Sequence, residues 1–207
     1  MVNVADLPDQ PWVNEFHYDN ASSDKNEGIE IAGAAGTDLS GWTIVAYNGS
    51  NGTVYKTVNL SGVIADQQGG FGTLYFSIGG LQNGAPDGFA LVNNGGVIVQ
   101  FLSYEGTATS GIAAGMSSND VGVREVSSTP LGYSLQLAGE GTQYSDFSWQ
   151  AAALSTSGEV NNGQTLGYPN ELPVAAFTAA CHGVNCLFDA SASTDADADV
   201  GQINRWA

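Results

Sequence analysis

The sequence predicts an all-β fold, an antiparallel sandwich or barrel, from three observations. Short apolar runs rich in aromatic and β-branched residues recur about every ten residues, and clusters of Gly, Asn, Asp and Ser separate them. No stretch sustains the 3.6-residue apolar period of an amphipathic helix. Only 12% of the 207 residues are charged, while 28 are glycine, which is typical of β proteins with many turns.

The first half of the chain contains five predicted strands, at 12–18, 29–32, 42–47, 54–60 and 70–78. In the first of them, alternation places the even-numbered residues from Trp12 to Tyr18 on one face and the odd-numbered residues on the other. In the second, Ile29 and Ile31 flank Glu30, so one face is apolar and the other polar. Asn-Gly pairs at 48–49 and 51–52 predict a hairpin turn, because Asn and Gly tolerate positive φ.

The second half of this domain continues the pattern, with predicted strands at 89–92, 97–104, 121–126, 133–137 and 146–150. Residues 105–119 form a long polar loop with poor helix propensity. Two packed sheets need apolar side chains only on their inner faces, and the alternation along these runs allows that arrangement.

The chain is divided by composition into a lead, a domain, a linker and a tail, at 1–11, 12–167, 168–173 and 174–207. The tail carries predicted strands at 174–178 and 186–190 and is too short to bury a core of its own. Cys181 and Cys186 predict a disulfide across a tight turn, with reduced structural cysteines as the alternative. His182 alone between them does not make a zinc site.

Charge excludes several classes of partner. The net charge is −17, and the four basic residues Lys25, Lys56, Arg124 and Arg205 are scattered. Nucleic-acid phosphates and anionic membrane surfaces require clustered basic side chains, so we predict neither nucleic-acid binding nor attachment to such a membrane. No apolar run reaches the length of a membrane-spanning helix, so membrane insertion is not expected either. The first twelve residues lack the basic and apolar regions of a signal peptide.

The densest group of ionisable residues in the first half surrounds the first two strands. Glu15 and Glu30 could act as the paired carboxylates of a glycosidase, and His17 could act as a base in a hydrolase. The plainer interpretations are carboxylates that happen to lie on neighbouring strands and a half-buried histidine bonded to a neighbour. No Gly-x-Ser-x-Gly nucleophile motif occurs in the chain.

Oxygen-bearing side chains predict two candidate calcium sites, since Ca²⁺ binds carboxylate, amide and carbonyl oxygens. The members of the first site share one loop and are Asp19, Asn20, Asp24 and Glu27. The members of the second alternate as in the start of an EF-hand loop and are Asp195, Asp197 and Asp199. The second departs from an EF-hand, because Val200 stands where Gly is needed and Trp206 stands where Glu is needed. A solvated turn is the alternative for both.

Aromatic side chains offer a third hypothesis, a glycan-binding surface on which sugar faces stack. The candidates are tyrosines in or beside the predicted strands, namely Tyr47, Tyr55, Tyr75 and Tyr104. Packing between neighbouring strands is the more common role of such residues.

Several motifs in order resemble the bacterial lamin tail domain. They are VNEFHYDN, EGIEIAG, DLSGWTIVAYNG, PDGFALVNNGGVIVQFLSYEG and TPLGYSLQL, and the likeness runs from about Trp12 to Gly167. The resemblance implies an immunoglobulin-like β-sandwich. It also implies an accessory interaction module of a secreted or cell-surface bacterial protein, often beside nuclease, phosphatase or protease domains, with no catalytic residues.

The tail, from PVAAFTAACHGVNCLFDASASTDAD onward, is similar to the start of a polycystic kidney disease (PKD) domain. That family is also an immunoglobulin-like sandwich and is common in secreted bacterial hydrolases. The Asp-Phe-Gly-Asp-Gly run that the family carries after the position of Trp206 is missing.

These observations lead to one functional prediction with two alternatives. We predict a non-catalytic, extracellular β-sandwich module that acts as a spacer or binds a protein or glycan partner, with no certain cofactor except a candidate Ca²⁺. The alternatives are a fragment of a secreted hydrolase with a site around Glu15, His17 and Glu30, and a glycan-binding module. Sheet edges and the incomplete tail also predict self-association.

Overall fold

The computed structural model of the protein describes residues 10–108, 115–167 and 174–194, and among these residues it contains strands and no α-helix. The all-β fold is therefore confirmed. The strands are β1 Trp12–His17, β2 Gly28–Ala34, β3 Thr43–Asn48, β4 Thr53–Asn59, β5 Phe71–Ser77, β6 Asp87–Val92, β7 Ile98–Tyr104, β8 Asn119–Asp120, β9 Tyr133–Gly141, β10 Phe147–Leu154, β11 Gln164–Leu166, β12 Thr178–His182 and β13 Asn185–Asp189. The chain divides into two units, Met1–Gly167 and Tyr168–Ala207.

The first unit is a sandwich of two sheets. One sheet has the order β10-β9-β1-β2-β5, and β11 adds to β9 in parallel. The other has the order β4-β3-β6-β7, and β8 adds to β7 in parallel. Every other pairing in both sheets is antiparallel, as short strands joined by tight turns require.

The main core lies between the sheets and is built from the apolar positions of the alternating strands. Ile29 and Ile31 of β2 are fully buried in it. Phe16 of β1 makes edge-to-face contacts with Phe89 of the opposite sheet, at 5.2 Å between ring centroids, and with Trp149 of its own sheet, at 5.1 Å. These aromatic contacts join the two layers, which is the packing expected of a sandwich.

The predicted alternation along β1 is wrong at its start. Val13 packs in the same core cluster as Phe16, although the two positions differ by an odd number. Trp12 belongs to a separate cluster, where its ring stacks on Phe147 at 5.8 Å. The cause is an irregularity in the β1–β2 register between Val13 and Glu15, where Asn14 is an extra residue. A bulge of this kind reverses the faces of the residues on either side of it.

Three strand predictions need correction. The run 121–126 is not a strand; the pairing at this place is the short β8, and the Val121 N–H then donates to the Ser103 carbonyl at 2.9 Å. The strand β11 was not predicted, because its three residues carry no apolar period. In the tail the strand starts at Thr178, while Val174 forms an isolated bridge with Thr194.

The second unit contains a single described hairpin, β12 and β13. Cys181 and Cys186 face each other in its register and form a disulfide with an S–S distance of 2.07 Å. Gly183 makes the turn with a φ of 62°, which favours glycine. Every residue of both strands is exposed. Residues 195–207, which include the candidate ligands Asp195, Asp197 and Asp199, lie outside the described residues.

Candidate functional site

A row of polar residues crosses the outer face of the β1-containing sheet. Glu15 of β1 lies opposite Glu30 of β2, Glu30 lies opposite Tyr75 of β5, and Glu15 lies opposite Gln136 of β9. Residues directly opposite in an antiparallel pair point to the same face. Glu30 stands between the core residues Ile29 and Ile31, so this face is the one turned away from the main core.

Residues 155–164, which we call the covering segment, close over this row. The Ser155 hydroxyl donates to Glu15 Oε1 at 2.5 Å, and the Thr156 hydroxyl donates to Glu15 Oε2 at 2.7 Å. The Gly158 N–H donates to Glu30 Oε2 at 2.6 Å. As a result Glu15 is 1% exposed and Glu30 is not exposed at all.

The covering segment is tied to the β1 bulge at its other end. The Gln164 amide donates to Asn14 Oδ1 at 2.7 Å, and the Asn161 amide donates to the Asn14 carbonyl at 3.0 Å. Asn14 in turn donates to Glu30 Oε1 at 3.1 Å. The extra residue in β1 therefore connects the covering segment to the two glutamates.

Burial raises the pKa of Glu30 to about 8; hydrogen bonds from Asn14 and Gly158 oppose the shift, and the negative charge of Glu15 adds to it. A proton-holding acid beside a second carboxylate is the chemistry of a glycosidase pair. Both groups are nevertheless sealed and bonded to the covering segment, so no substrate atom can reach them in this arrangement. Their visible role is to hold the covering segment against the sheet.

His17 is held by an acid that the sequence analysis missed. Its Nδ1 lies 2.8 Å from Glu125 Oε1, and its Nε2 lies 3.1 Å from both Asn20 Oδ1 and the Lys25 carbonyl. All of these are acceptor oxygens, so the doubly protonated imidazolium satisfies them best. Burial alone lowers the pKa of His17, but the hydrogen bond and charge of Glu125, together with Asn20 and Lys25, raise it above its usual value.

Glu125 closes the end of β1. Its Oε2 accepts from the backbone N–H groups of Tyr18, at 2.7 Å, and Asp19, at 2.9 Å. It is fully buried, as is the His17–Glu125 ion pair as a whole. No local pattern around position 125 indicates this role, because its partners are more than a hundred residues away in the chain.

The candidate calcium loop spends several of its oxygens on the protein. Glu27 accepts from the N–H groups of Gly80, at 2.6 Å, and Leu81, at 2.8 Å. Asn20 Oδ1 accepts from Lys25 N at 3.0 Å. Burial raises the pKa of Asp19, and the nearby charge of Asp24 raises it further. Within the described ranges, no three His, Cys, Asp or Glu side chains form a group that could hold a metal ion, and calcium binding here stays a prediction.

The four candidate tyrosines do not share a surface. Tyr104 is fully buried and stacks on Tyr18 at 4.0 Å, and Tyr47 is buried against Phe101. Tyr55 packs against the main core and accepts a hydrogen bond from Gln82 N at 2.9 Å. A shared platform of these four residues is therefore wrong, because three of the rings serve packing.

Tyr75 instead lines a pocket of about 480 Å³ beside the covering segment, which we call the serine–tyrosine pocket. Its hydroxyl-bearing residues come from β5, from the start of β9 and from the covering segment, and they are Tyr75, Ser77, Tyr133, Ser155 and Ser157. Asn26 and the edge of His17 complete its polar lining. Sequence reasoning found Tyr75 and His17 but missed the rest, since serines in a turn carry no distinguishing signal.

Comparisons with known proteins identify no relative: no family model, no curated protein and no solved structure matches the chain. Among the described residues, no helix has both the length and the apolar character needed to cross a membrane.

Proposed function

We propose that this chain is a non-catalytic β-sandwich module of a secreted or cell-surface protein, related to the bacterial lamin tail domains and followed by a PKD-like segment. Its role is to space or dock a larger protein by presenting its surface to a partner. The observation that carries the proposal is the state of the best catalytic candidates. Glu15, His17 and Glu30 are buried, and each makes hydrogen bonds within the sandwich.

An enzyme needs at least one of these groups within reach of a substrate atom. Here the imidazole of His17 donates from both nitrogens to protein acceptors, so it has no basic lone pair to offer. Ser155 is the hydroxyl closest to a carboxylate, but it donates directly to Glu15 without an intervening histidine. A triad requires the histidine between the two.

Turnover screens with esterase, phosphodiester, peptide and glycoside substrates test the proposal. We expect the wild-type protein to give no rate above the buffer background. The matched variants are Ser155→Ala, which removes the candidate nucleophile, and Ser50→Ala, which removes a hydroxyl from a turn of the opposite sheet. Turnover that persists in Ser50→Ala and is lost in Ser155→Ala would overturn the proposal in favour of a hydrolase.

The extracellular location is supported by the disulfide, since such bonds persist in oxidising compartments. Alkylation of protein isolated from its own host under acid-quenched conditions tests it. We expect neither Cys181 nor Cys186 to react with iodoacetamide before reduction, and both to react afterwards. Alkylation of both cysteines without reductant would place the protein in a reducing compartment instead.

Self-association through sheet edges remains part of the proposal. β4 is an edge strand of its sheet, most of its residues are at least partly exposed, and Val54 is 53% exposed. Such an edge offers unpaired backbone groups to a second chain. Light scattering across a concentration series tests this, and a constant monomer mass would contradict it.

A further inference from the structure

We propose that the serine–tyrosine pocket binds a neutral sugar residue. The inference deepens the proposed function and rests on it in one respect, because the pocket is expected to bind without reacting. Its volume of about 480 Å³ falls within the range of small-molecule sites. Two aromatic rings and a set of hydroxyl and amide groups line it, and sugars match this combination because a sugar ring has apolar faces and a rim of hydroxyls.

Tyr75 provides the stacking face. Its ring lies directly over Gly28, where a side chain would collide with the ring carbon Cζ and with the hydroxyl. The hydroxyl donates to the Asn26 carbonyl at 3.0 Å, which fixes the ring in this position. A ring pressed onto a strand backbone and held at its tip keeps one orientation, and the partly exposed Tyr75 lines the pocket in that orientation.

Tyr133 lies on the other side of the pocket, at the first position of β9. The strand β1 and the strand β2 run between the two tyrosines, and His17 and Gly28 are opposite each other there. The pocket is therefore a short trough across three neighbouring strands, with one tyrosine near each end. This shape allows a ring to stack on Tyr75 while its rim meets Tyr133.

The polar groups of the lining are of the kind that hydroxyls use. The side chains of Asn26, Ser77 and Tyr133 make no hydrogen bond to any residue in the described part of the chain. The Ser155 hydroxyl is committed as a donor to Glu15, so it presents lone pairs on its other side, 2.7 Å from the Ser157 hydroxyl. Sugar hydroxyls both donate and accept, which suits this mixture of unused donors and acceptors.

Charge selects neutral sugars over acidic ones. The chain carries a net charge of −17, and the Glu15 carboxylate lies directly behind Ser155. An anionic sugar would meet repulsion from both. The positive charge of His17 does not offset this, because it is paired with Glu125.

Saturation-transfer NMR with the full chain tests the proposal. The probes are the methyl glycosides of glucose, galactose, mannose, fucose and N-acetylglucosamine, with methyl glucuronoside as the charged comparison, each at about 10 mM. We expect transfer to at least one neutral sugar, strongest for the protons of one ring face, and none to the glucuronoside. No transfer to any of the five neutral sugars, or equal transfer to the glucuronoside, would overturn the proposal.

Variants locate the binding. Tyr133→Ala removes a wall of the pocket, and Ser77→Gln fills the pocket from an exposed position. Each is expected to weaken binding about five- to tenfold, the loss of one aromatic contact or of equivalent space. Phe188→Ala is the matched aromatic control, because this exposed ring lies in the other unit. Unchanged affinity in Ser77→Gln, with an unfolding midpoint like that of wild type, would overturn the assignment to this pocket.

The result separates the pocket from the proposed function. Binding without turnover of the same glycosides supports both. Turnover of a bound glycoside would overturn the non-catalytic function and support the pocket. Absence of binding overturns the pocket and supports a spacer that acts without a sugar ligand.

Discussion

Phe16 and Phe188 have similar surroundings in the sequence but opposite fates in the structure. Each lies in a short strand with polar residues beside it. Phe16 is 1% exposed, at the centre of the aromatic contacts between the two sheets, while Phe188 is 67% exposed. Leu187 and Phe177 of the second unit are likewise exposed, at 76% and 70%.

The difference teaches what a strand pattern can and cannot specify. Alternation and turn residues are enough to form the β12–β13 hairpin, as they are for each hairpin of the sandwich. Burial requires a second layer, which the described residues of the second unit do not provide. Isolated hairpins are marginal in water, so the disulfide has a task in the hairpin that packing performs in the sandwich.

The largest expected effect comes from truncating the two phenylalanines. Phe16→Ala removes a buried ring and should lower the free energy of unfolding of the sandwich by about 3–5 kcal/mol. Phe188→Ala should change it by less than about 0.5 kcal/mol, because the ring is exposed. Urea unfolding followed by tryptophan fluorescence measures both values. A large loss in Phe188→Ala would show that the hairpin is packed on something after all.

The two histidines give the next comparison. His17→Ala leaves the buried Glu125 carboxylate without its charged partner and should cost about 3 kcal/mol. His182→Ala affects an exposed residue of the hairpin and should cost almost nothing. Glu125→Gln combined with His17→Ala removes the charge as well and should recover part of the loss. Equal stability of both single variants would contradict a structural role for the ion pair.

The pH dependence of stability should follow Glu30. Its pKa is about 8 in the folded chain, above its ordinary value of 4.5, so folding favours the protonated form. This contribution is complete below pH 4.5 and is lost as the pH rises through 8. The fall in unfolding free energy from pH 5 to pH 9 should therefore be smaller in Glu30→Gln than in wild type, by at least about 1 kcal/mol. An identical pH profile in the two proteins would contradict this reading of Glu30.

His17 adds to the same trend. Its pKa is also raised, so its contribution to stability is present below its ordinary value of 6.5 and is lost as the pH rises through the folded value. The double variant His17→Ala/Glu125→Gln separates this part from that of Glu30, since it lacks the ion pair but retains the glutamate.

The smallest effect on the sandwich should come from reduction. Opening the Cys181–Cys186 bond should leave the unfolding free energy of the sandwich unchanged within about 0.5 kcal/mol, because the bond belongs to the other unit. Hydrogen exchange at the amides of β12 and β13 should accelerate on reduction. Protection that survives reduction would mean that the hairpin does not depend on its disulfide.

Much of the fold is readable from local patterns. The turn between β3 and β4 follows from its Asn-Gly pairs, and Gly52 indeed has a φ of 71°. The inward positions of β2 follow from Ile29 and Ile31 on either side of Glu30. In these cases the neighbours that matter are two to five residues away, so short-range chemistry was sufficient.

The candidate site followed different rules. Sequence alone placed Glu15, His17 and Glu30 near one another, but it could not show that the covering segment closes over the glutamates or that Glu125 meets His17. It also could not reveal the bulge at Asn14, which decides the faces of β1, or the seat that Gly28 provides for Tyr75. These features arise only when segments more than about fifty residues apart in the chain meet, or when two strands settle their register. Tertiary packing decides them, because a buried carboxylate or imidazole takes whichever distant donor or acceptor satisfies it.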